Sequence, residues 1–375
     1  MIYLDYASTT PVRQEVLKAY TTILNTYYGN SDSLHTLGRD VSKLLEQSRT
    51  QIAQLFHVSS NEIIFTSCAS ESNNMAIKGF ALKNNHRGNH IITSNVEHSS
   101  VLKTMQQLEE VFGFEVTYLP VNQSGIVEPE VLKKALRKDT ILVSLMHVNN
   151  ETGAINPIET LSEIIHQNSR AVFHCDCVQA IGKIKVDVSF MDMATFSAHK
   201  IYGLKGSGLL YKKPNIQLLP LLSGGQQESG MRAGTSNAPA YIVLAKTLRL
   251  ALEEQEESYC HVKKLNEYMR EQFSQMDGIV INSDCSSSPF ILNISCLQVG
   301  SEIMLNALNK KGFAVSAQST CSSKKKARSH VLLAMGLGEQ RATHAIRISL
   351  SLHTTKDEID AFIKAVWEVS HAYGI

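Results

Sequence analysis

Ala171-Val172-Phe173-His174-Cys175-Asp176 and Asp192-Met193-Ala194-Thr195-Phe196-Ser197-Ala198-His199-Lys200 decide how this chain is read. Each contains a short apolar run that reads as a strand, Ala171 to Cys175 and Met193 to Phe196, and each ends in residues that carry chemistry. Working outward, the same pattern recurs. Glu62 to Thr66, His90 to Ser94, Val116 to Leu119, Ile141 to His147 and Gly208 to Tyr211 read as further strands. Between them lie helical patterns, such as Val41, Leu44, Leu45, Ile52, Leu55 and Phe56 at helical spacing. Pro157 opens another helix through Ile165, in the first-turn position that proline favours. Such alternation predicts βαβ units and a mostly parallel, seven-stranded sheet flanked by helices, an α/β fold. A long helical pattern follows Pro239 and runs with interruptions to about Met276. The character then changes. Phe290 to Ser295, Phe313 to Ser316 and Ala345 to Leu350 read as strands separated by helices, with a last helix after Thr355. The expected organisation is a large domain over 14–259 and a smaller α+β domain formed by 1–13 with 260–375.

Composition narrows the class of function. The 375 residues carry 36 Lys+Arg against 35 Asp+Glu, a net charge of +1, with 43% hydrophobic and 19% charged residues. That balance suits a globular protein with a large core and argues against a nucleic-acid partner. No apolar run reaches the ~18 residues of a spanning helix. The N-terminal Met1-Ile2-Tyr3-Leu4-Asp5 has no signal-like character, so the cytoplasm is expected. Seven cysteines, at 68, 175, 177, 260, 285, 296 and 321, form no Cys-x-x-Cys pair. An odd and sparse set excludes a disulfide framework or zinc ribbon and leaves thiols in a reducing compartment. Cys175 and Cys177 read as buried packing, not as metal ligands.

Three groups carry chemistry. Ser67-Cys68-Ala69-Ser70-Glu71-Ser72-Asn73-Asn74 follows a strand and opens a helix, where free N–H groups face an anion. Asp176 ends a buried strand, where open α/β sheets place ligand groups, and can hold a protonated ring nitrogen. Lys200, beside His199, is a candidate amine nucleophile. Each alone has a plain reading as a helix cap or a loop lysine. Together, a phosphate cradle, a ring-nitrogen acid and an amine are what pyridoxal 5'-phosphate requires.

With these residues the chain resembles the pyridoxal-phosphate-dependent cysteine desulfurases, the NifS/IscS-like members of the class V aminotransferase family with fold type I. The likeness runs from Tyr3-Leu4-Asp5-Tyr6-Ala7-Ser8-Thr9-Thr10 to the last helix. It includes Met146-His147-Val148-Asn149-Asn150-Glu151-Thr152-Gly153, His199-Lys200-Ile201-Tyr202-Gly203 and Met231-Arg232-Ala233-Gly234-Thr235. The resemblance implies that Lys200 bonds the cofactor, Asp176 contacts the pyridine nitrogen and Gln179 the phenolic oxygen. It implies that His98 stacks on the ring and acts in proton transfer, and that Asn150 lies beside ring and substrate. Ala69, Ser70, Ser197 and His199 match phosphate ligands, and Thr235 one donated by the neighbouring subunit of a homodimer. Arg347 matches the grip on the substrate carboxylate, a task suited to a planar guanidinium. Cys321, in Gln318-Ser319-Thr320-Cys321-Ser322-Ser323-Lys324, matches the catalytic thiol. Nearby lysines favour its thiolate. The implied reaction converts L-cysteine to alanine and leaves a persulfide on Cys321. That sulfur passes to an iron–sulfur scaffold, a tRNA-thiolation protein or a simple thiol.

The chain departs from the family pattern where Cys68 and Gln318 replace glycines, Ser31 and Leu204 replace prolines, and Ser351 replaces a glycine. A side chain at Cys68 is expected to obstruct a backbone conformation that glycine tolerates. Two other readings compete: a selenocysteine lyase or other β-lyase on the same scaffold, and a diverged paralogue kept for binding or regulation.

Overall fold

The computed structural model describes residues 1–317 and 328–373. Cys321 and Gln318 lie outside the described residues. The central feature is a seven-stranded sheet, in the order β2-β8-β7-β6-β5-β3-β4. Its strands are β2 (Ile63–Thr66), β3 (His90–Ser94), β4 (Glu115–Leu119), β5 (Thr140–Met146), β6 (Val172–Asp176), β7 (Met193–Ser197) and β8 (Gly208–Lys212). The inner pairs from β4 to β7 are parallel, and β8 runs antiparallel to both β7 and β2. This is the mostly parallel sheet that the apolar runs predict. β5, β6 and β7 are buried throughout, because helices cover both faces.

Two apolar clusters sit on these faces. One joins Phe56, Phe173, Phe196 and Tyr241, with the Phe56 and Phe196 rings stacked at 5.0 Å. The other joins Ile64, Phe80, Met105 and Leu210. A fully buried side chain of this size contributes roughly 1.5–3 kcal/mol over its exposed form.

A third cluster surrounds a three-stranded antiparallel sheet of β9 (Ile279–Ile281), β10 (Ile291–Cys296) and β12 (Ala345–Ser349). It contains Leu4, Val262, Phe273, Ile294, Ile348 and Phe362. β1 (Ile2–Tyr3) pairs in parallel with β11 (Phe313–Ala314). The short β1 and β9 have no sequence signature, since two or three residues cannot show a period. The strand expected over Phe313 to Ser316 is shorter than its apolar run; Ser316 instead makes an isolated bridge to Arg347.

Other differences are local. Pro157 sits just before its helix, Ile158–Asn168, and caps it. The helical stretch after Pro239 is two helices, Ala238–Glu253 and Gln255–Ser274, which break at Glu254. Cys68 has φ −172° and ψ 168°, extended backbone that any residue adopts, so the expected obstruction does not arise. Ser351 likewise avoids positive φ. Among the described residues no helix is long and apolar enough to cross a membrane.

The outer edge of β2 is closed by side chains. Arg49 donates to the Ile63 carbonyl at 2.7 Å, and Glu228 accepts from the Phe65 N–H at 2.8 Å. The two pair with each other at 2.7 and 2.9 Å. Both are nearly buried, which removes the exposed edge that would otherwise invite pairing with another chain. Arg49 also pairs with Glu46 at 3.1 Å, so Glu228→Ala should cost about 1.5–3 kcal/mol, the worth of a lost hydrogen bond to a charged group, measured as a drop in denaturant midpoint. An unchanged midpoint would show that the pair does not carry the edge.

Candidate active site

Parallel strands end on the same side of a sheet, and the loops leaving them converge. β3 runs out to His98, β5 to Asn150, β6 ends at Asp176, and β7 leads to Lys200. These residues line one cavity of about 280 Å³ together with Ala69, Ser70, Gln179, His199 and Arg347. A larger hollow of about 690 Å³ lies around Arg49, Lys83 and Glu228, and shares none of these residues. The smaller cavity holds the convergent chemistry and is the candidate site.

Asp176 is 6% exposed at the sheet's carboxyl edge. Its carboxylate accepts from Asn73 Nδ2 at 2.8 Å and from the Val178 N–H at 3.0 Å. Asn73 also donates to Ser100 Oγ at 2.9 Å. Ser100 in turn bonds His98 Nδ1 through its hydroxyl at 2.8 Å and its N–H at 3.2 Å. Because that N–H can only donate, Nδ1 accepts, and the neutral ring carries its proton on Nε2. Burial, aided by Lys200 against the pull of Asp176, holds His98 below its ordinary range. Burial and Lys200 push His199 down to about 4.

Lys200 Nζ donates to the carbonyls of Ala7 and Ser8, each at 2.6 Å. Arg347 is 2% exposed. It donates to the Asn150 carbonyl at 2.8 Å, to Asp5 at 2.9 Å and to Ser8 Oγ at 2.6 Å. Its Nε is buried without a partner.

At the anion end, Cys68 precedes the helix Ala69–Asn74, which continues through a π turn (Met75–Gly79) into Phe80–Asn84. The first N–H groups, at Ala69 and Ser70, have no intrahelical acceptor by position. Glu71 is turned away from this role. It accepts from the Ser67 N–H at 2.7 Å and Oγ at 2.5 Å, and pairs with Arg232 at 2.9 Å. Burial raises its pKa, but these bonds outweigh it and hold the carboxyl below its usual range.

A pyridoxal phosphate fits this donor set. The cavity has a lysine amine, a buried carboxylate, a neutral imidazole and free N–H groups. Ser197 Oγ, at the end of β7, is buried with no partner, as a ligand-directed hydroxyl would be. Among the described residues no cluster of His, Cys, Asp and Glu could hold a metal ion. Cys175 and Cys177 are fully buried free thiols, as packing predicts.

The sequence-predicted residues that do not line the cavity are few. Ser197 is buried and does not line it, Thr235 is exposed, and Cys321 is outside the described residues. Asp5, Ser8, Asn73, Ser100 and Lys183 were not legible. Asp5, Ser8 and Asn73 meet their site partners from distant parts of the chain, while Ser100 and Lys183 reach His98 and Gln179 through local turns that the apolar pattern does not mark.

Glu97 adjoins this network. It is fully buried, accepts from Ser94 Oγ at 2.6 Å and the Met146 N–H at 3.0 Å, and has Oε2 unpaired. Burial pushes its pKa from 4.5 to about 8, with Asp176 adding in the same direction. The native state thus holds the proton more tightly than the unfolded chain. The associated stability is complete below about 4.5 and is lost as pH rises toward about 8. Glu97→Gln should gain stability relative to wild type between pH 5 and 8, read from urea midpoints across that range. Parallel pH profiles would refute this.

Comparison with known proteins agrees with the geometry. The profile of the family described as aminotransferase class-V matches residues 2–362. The cysteine desulfurase IscS of Dictyoglomus turgidum is 44% identical over 363 residues, spanning 96% of this chain and 92% of that protein. A solved structure described as a NifS-like protein superposes with TM-score 0.92 at 36% identity, covering 98% of both chains. Another, described as SspA in complex with cysteine, has TM-score 0.83 at 33% identity, covering 95% of this chain and 100% of that one.

Proposed function

This chain belongs to the class-V aminotransferase family, and we propose that it acts as a cysteine desulfurase. It takes the sulfur from L-cysteine, releases alanine, and passes the sulfur to an acceptor. The relatives at 41–44% identity over nearly the whole chain support the activity. The observation that carries the reading is a single cavity shared by Lys200, Asp176 and Arg347.

Pyridoxal phosphate, when bound, supplies an electron-withdrawing ring that stabilises negative charge at the substrate's α-carbon. The chain's residues do the rest. Ala69, Ser70, Ser197 and His199 hold the phosphate end, with Thr235 of the partner subunit in a homodimer. Asp176 holds the ring nitrogen's proton, and its two donors keep it oriented. Gln179 meets the phenolic oxygen, and His98 presents a neutral ring face. Arg347 binds the substrate carboxylate, with Asn150 beside it. Lys200, once its amine is free, takes the α-proton and later returns protons to the product carbons.

The Cys321 thiolate then attacks the substrate sulfur. An S–S bond forms, the Cβ–S bond breaks, and the bonding pair stays with carbon, which is protonated to alanine. Both flanks of segment 318–327 are tied to the site. Ser316 exchanges backbone hydrogen bonds with Arg347. Ser329 Oγ donates to Glu151, the neighbour of Asn150, at 2.6 Å. These ties support a thiol carried near the substrate. The persulfide serves an iron–sulfur scaffold or a tRNA-thiolation protein in the cytoplasm. We assign 14–259 as the cofactor-binding domain and 1–13 with 260–375 as the smaller domain.

Purified protein given L-cysteine and a thiol reductant should produce alanine and sulfide in equal amounts. Lys200→Ala and Cys321→Ser should each lose roughly 100-fold or more. Wild type that binds stoichiometric cofactor yet makes no alanine overturns the reading. Arg347→Met should raise KM for cysteine about 10- to 100-fold, the worth of a charge-assisted hydrogen bond. An unchanged KM would remove Arg347 from carboxylate binding.

A further inference from the structure

Lys183 is a buried ionisable group that the mechanism above does not use. It is 8% exposed, while Lys185, two residues on, is exposed. The segment after β6 coils tightly. Ala180 and Ile181 donate N–H bonds to Cys177, and Lys183 and Ile184 donate to Ala180. Gly182 permits this at φ +68°, where a Cβ would also meet Ala251 at 2.9 Å. The coil places Lys183 four residues after Gln179, the separation at which side chains meet on one face.

There the Lys183 Nζ donates to Gln179 Oε1 at 2.6 Å. The other end of the amide donates from Nε2 to the Ala7 carbonyl at 2.9 Å. That carbonyl is also an acceptor for Lys200. A protonated lysine amine can only donate and a carbonyl can only accept. The amide orientation is therefore determined from both ends. One Nε2 hydrogen remains for the cavity that Gln179 lines.

We propose that Lys183 is a positioning residue for the cofactor pocket: by holding Gln179 Oε1 it makes the amide present an N–H donor to the cofactor's anionic ring oxygen. This rests on the cofactor reading above. Without the lysine, Oε1 is left buried and unpaired, a costly state that the amide relieves by turning toward another donor. The ring oxygen then loses its hydrogen bond.

The surroundings fit a role beyond charge pairing. No carboxylate pairs with Lys183 among the described residues. The charged groups acting on it are Lys200 and Arg347, both cationic, which add to burial in bringing its pKa down to about 7. A void of about 20 Å³ on its other side is lined by Tyr6, Thr10 and Tyr202. Arg13 and Glu254 there are paired with each other. A lysine kept without a counter-ion suits a site whose ligand brings the negative charge.

The test is the visible absorption of the holoenzyme, titrated against pH. A hydrogen bond to the anionic ring oxygen favours the deprotonated form of the coloured Lys200–cofactor linkage. Lys183→Met should raise the pKa of that transition by about one unit, the size of one lost hydrogen bond to a charged group. Gln179→Leu should raise it equally, and the double variant should shift no further. Lys183→Arg, which keeps a donor-only group, should retain the wild-type transition. If Lys183→Met does not fold, a shifted transition in Lys183→Arg overturns the proposal. An unshifted Lys183→Met holoenzyme, or additive shifts in the double variant, also overturns it. A wild type with no visible cofactor band would instead sink the cofactor reading itself.

Discussion

The site depends on one passage of backbone, Leu4 to Thr10, threaded between the two larger sheets. Leu4 accepts from the Ser349 N–H on β12 at 2.8 Å and donates to Ala314 at 2.9 Å. Six residues later, Thr10 donates to the His199 carbonyl at 2.9 Å. Between these anchors the strap is held at both ends. Its Ala7 and Ser8 carbonyls seat the Lys200 amine, Ala7 also seats Gln179, and Asp5 with Ser8 seats Arg347. Carbonyls are suitable partners for an amine that must leave them during turnover. They orient it without the deep Coulomb well of a buried carboxylate.

The charges follow a consistent logic. Cations gather at the cavity, in Lys200, Lys183 and Arg347. The histidines near them are kept neutral by burial and by Lys200. Carboxylates are either held by donors, as at Asp176, or kept from ionising by burial, as at Glu97. Such an arrangement gathers cationic donors where a bound phosphate and phenolate would sit. The near-neutral chain as a whole conceals this, because the clustering is local.

Much of the large sheet was legible. Short apolar runs, each closed by a polar or small residue, mark β3, β5, β6 and β7 to within a residue or two. Parallel alignment then brings His98, Asn150, Asp176 and Lys200 to one edge. The short β1 and β9 were not legible, because so few residues show no periodicity. Cys68 was misjudged for a different reason. The sequence pattern shows a replaced glycine but not the dihedral at that position, and the extended backbone there accepts any side chain.

The long-range partners of the site residues belong to the tertiary structure alone. Arg347 and Asp5 are 342 positions apart, and only the strap's course between the sheets joins them. Lys183 and Lys185 look alike in sequence, yet the coil after β6 buries the first and exposes the second. Local pattern by itself determined which segments are strands and which chemistry stands at their ends, because period and strand ends are short-range properties. The folded chain decided which buried donor faces which acceptor, because that depends on packing between segments with no proximity in sequence.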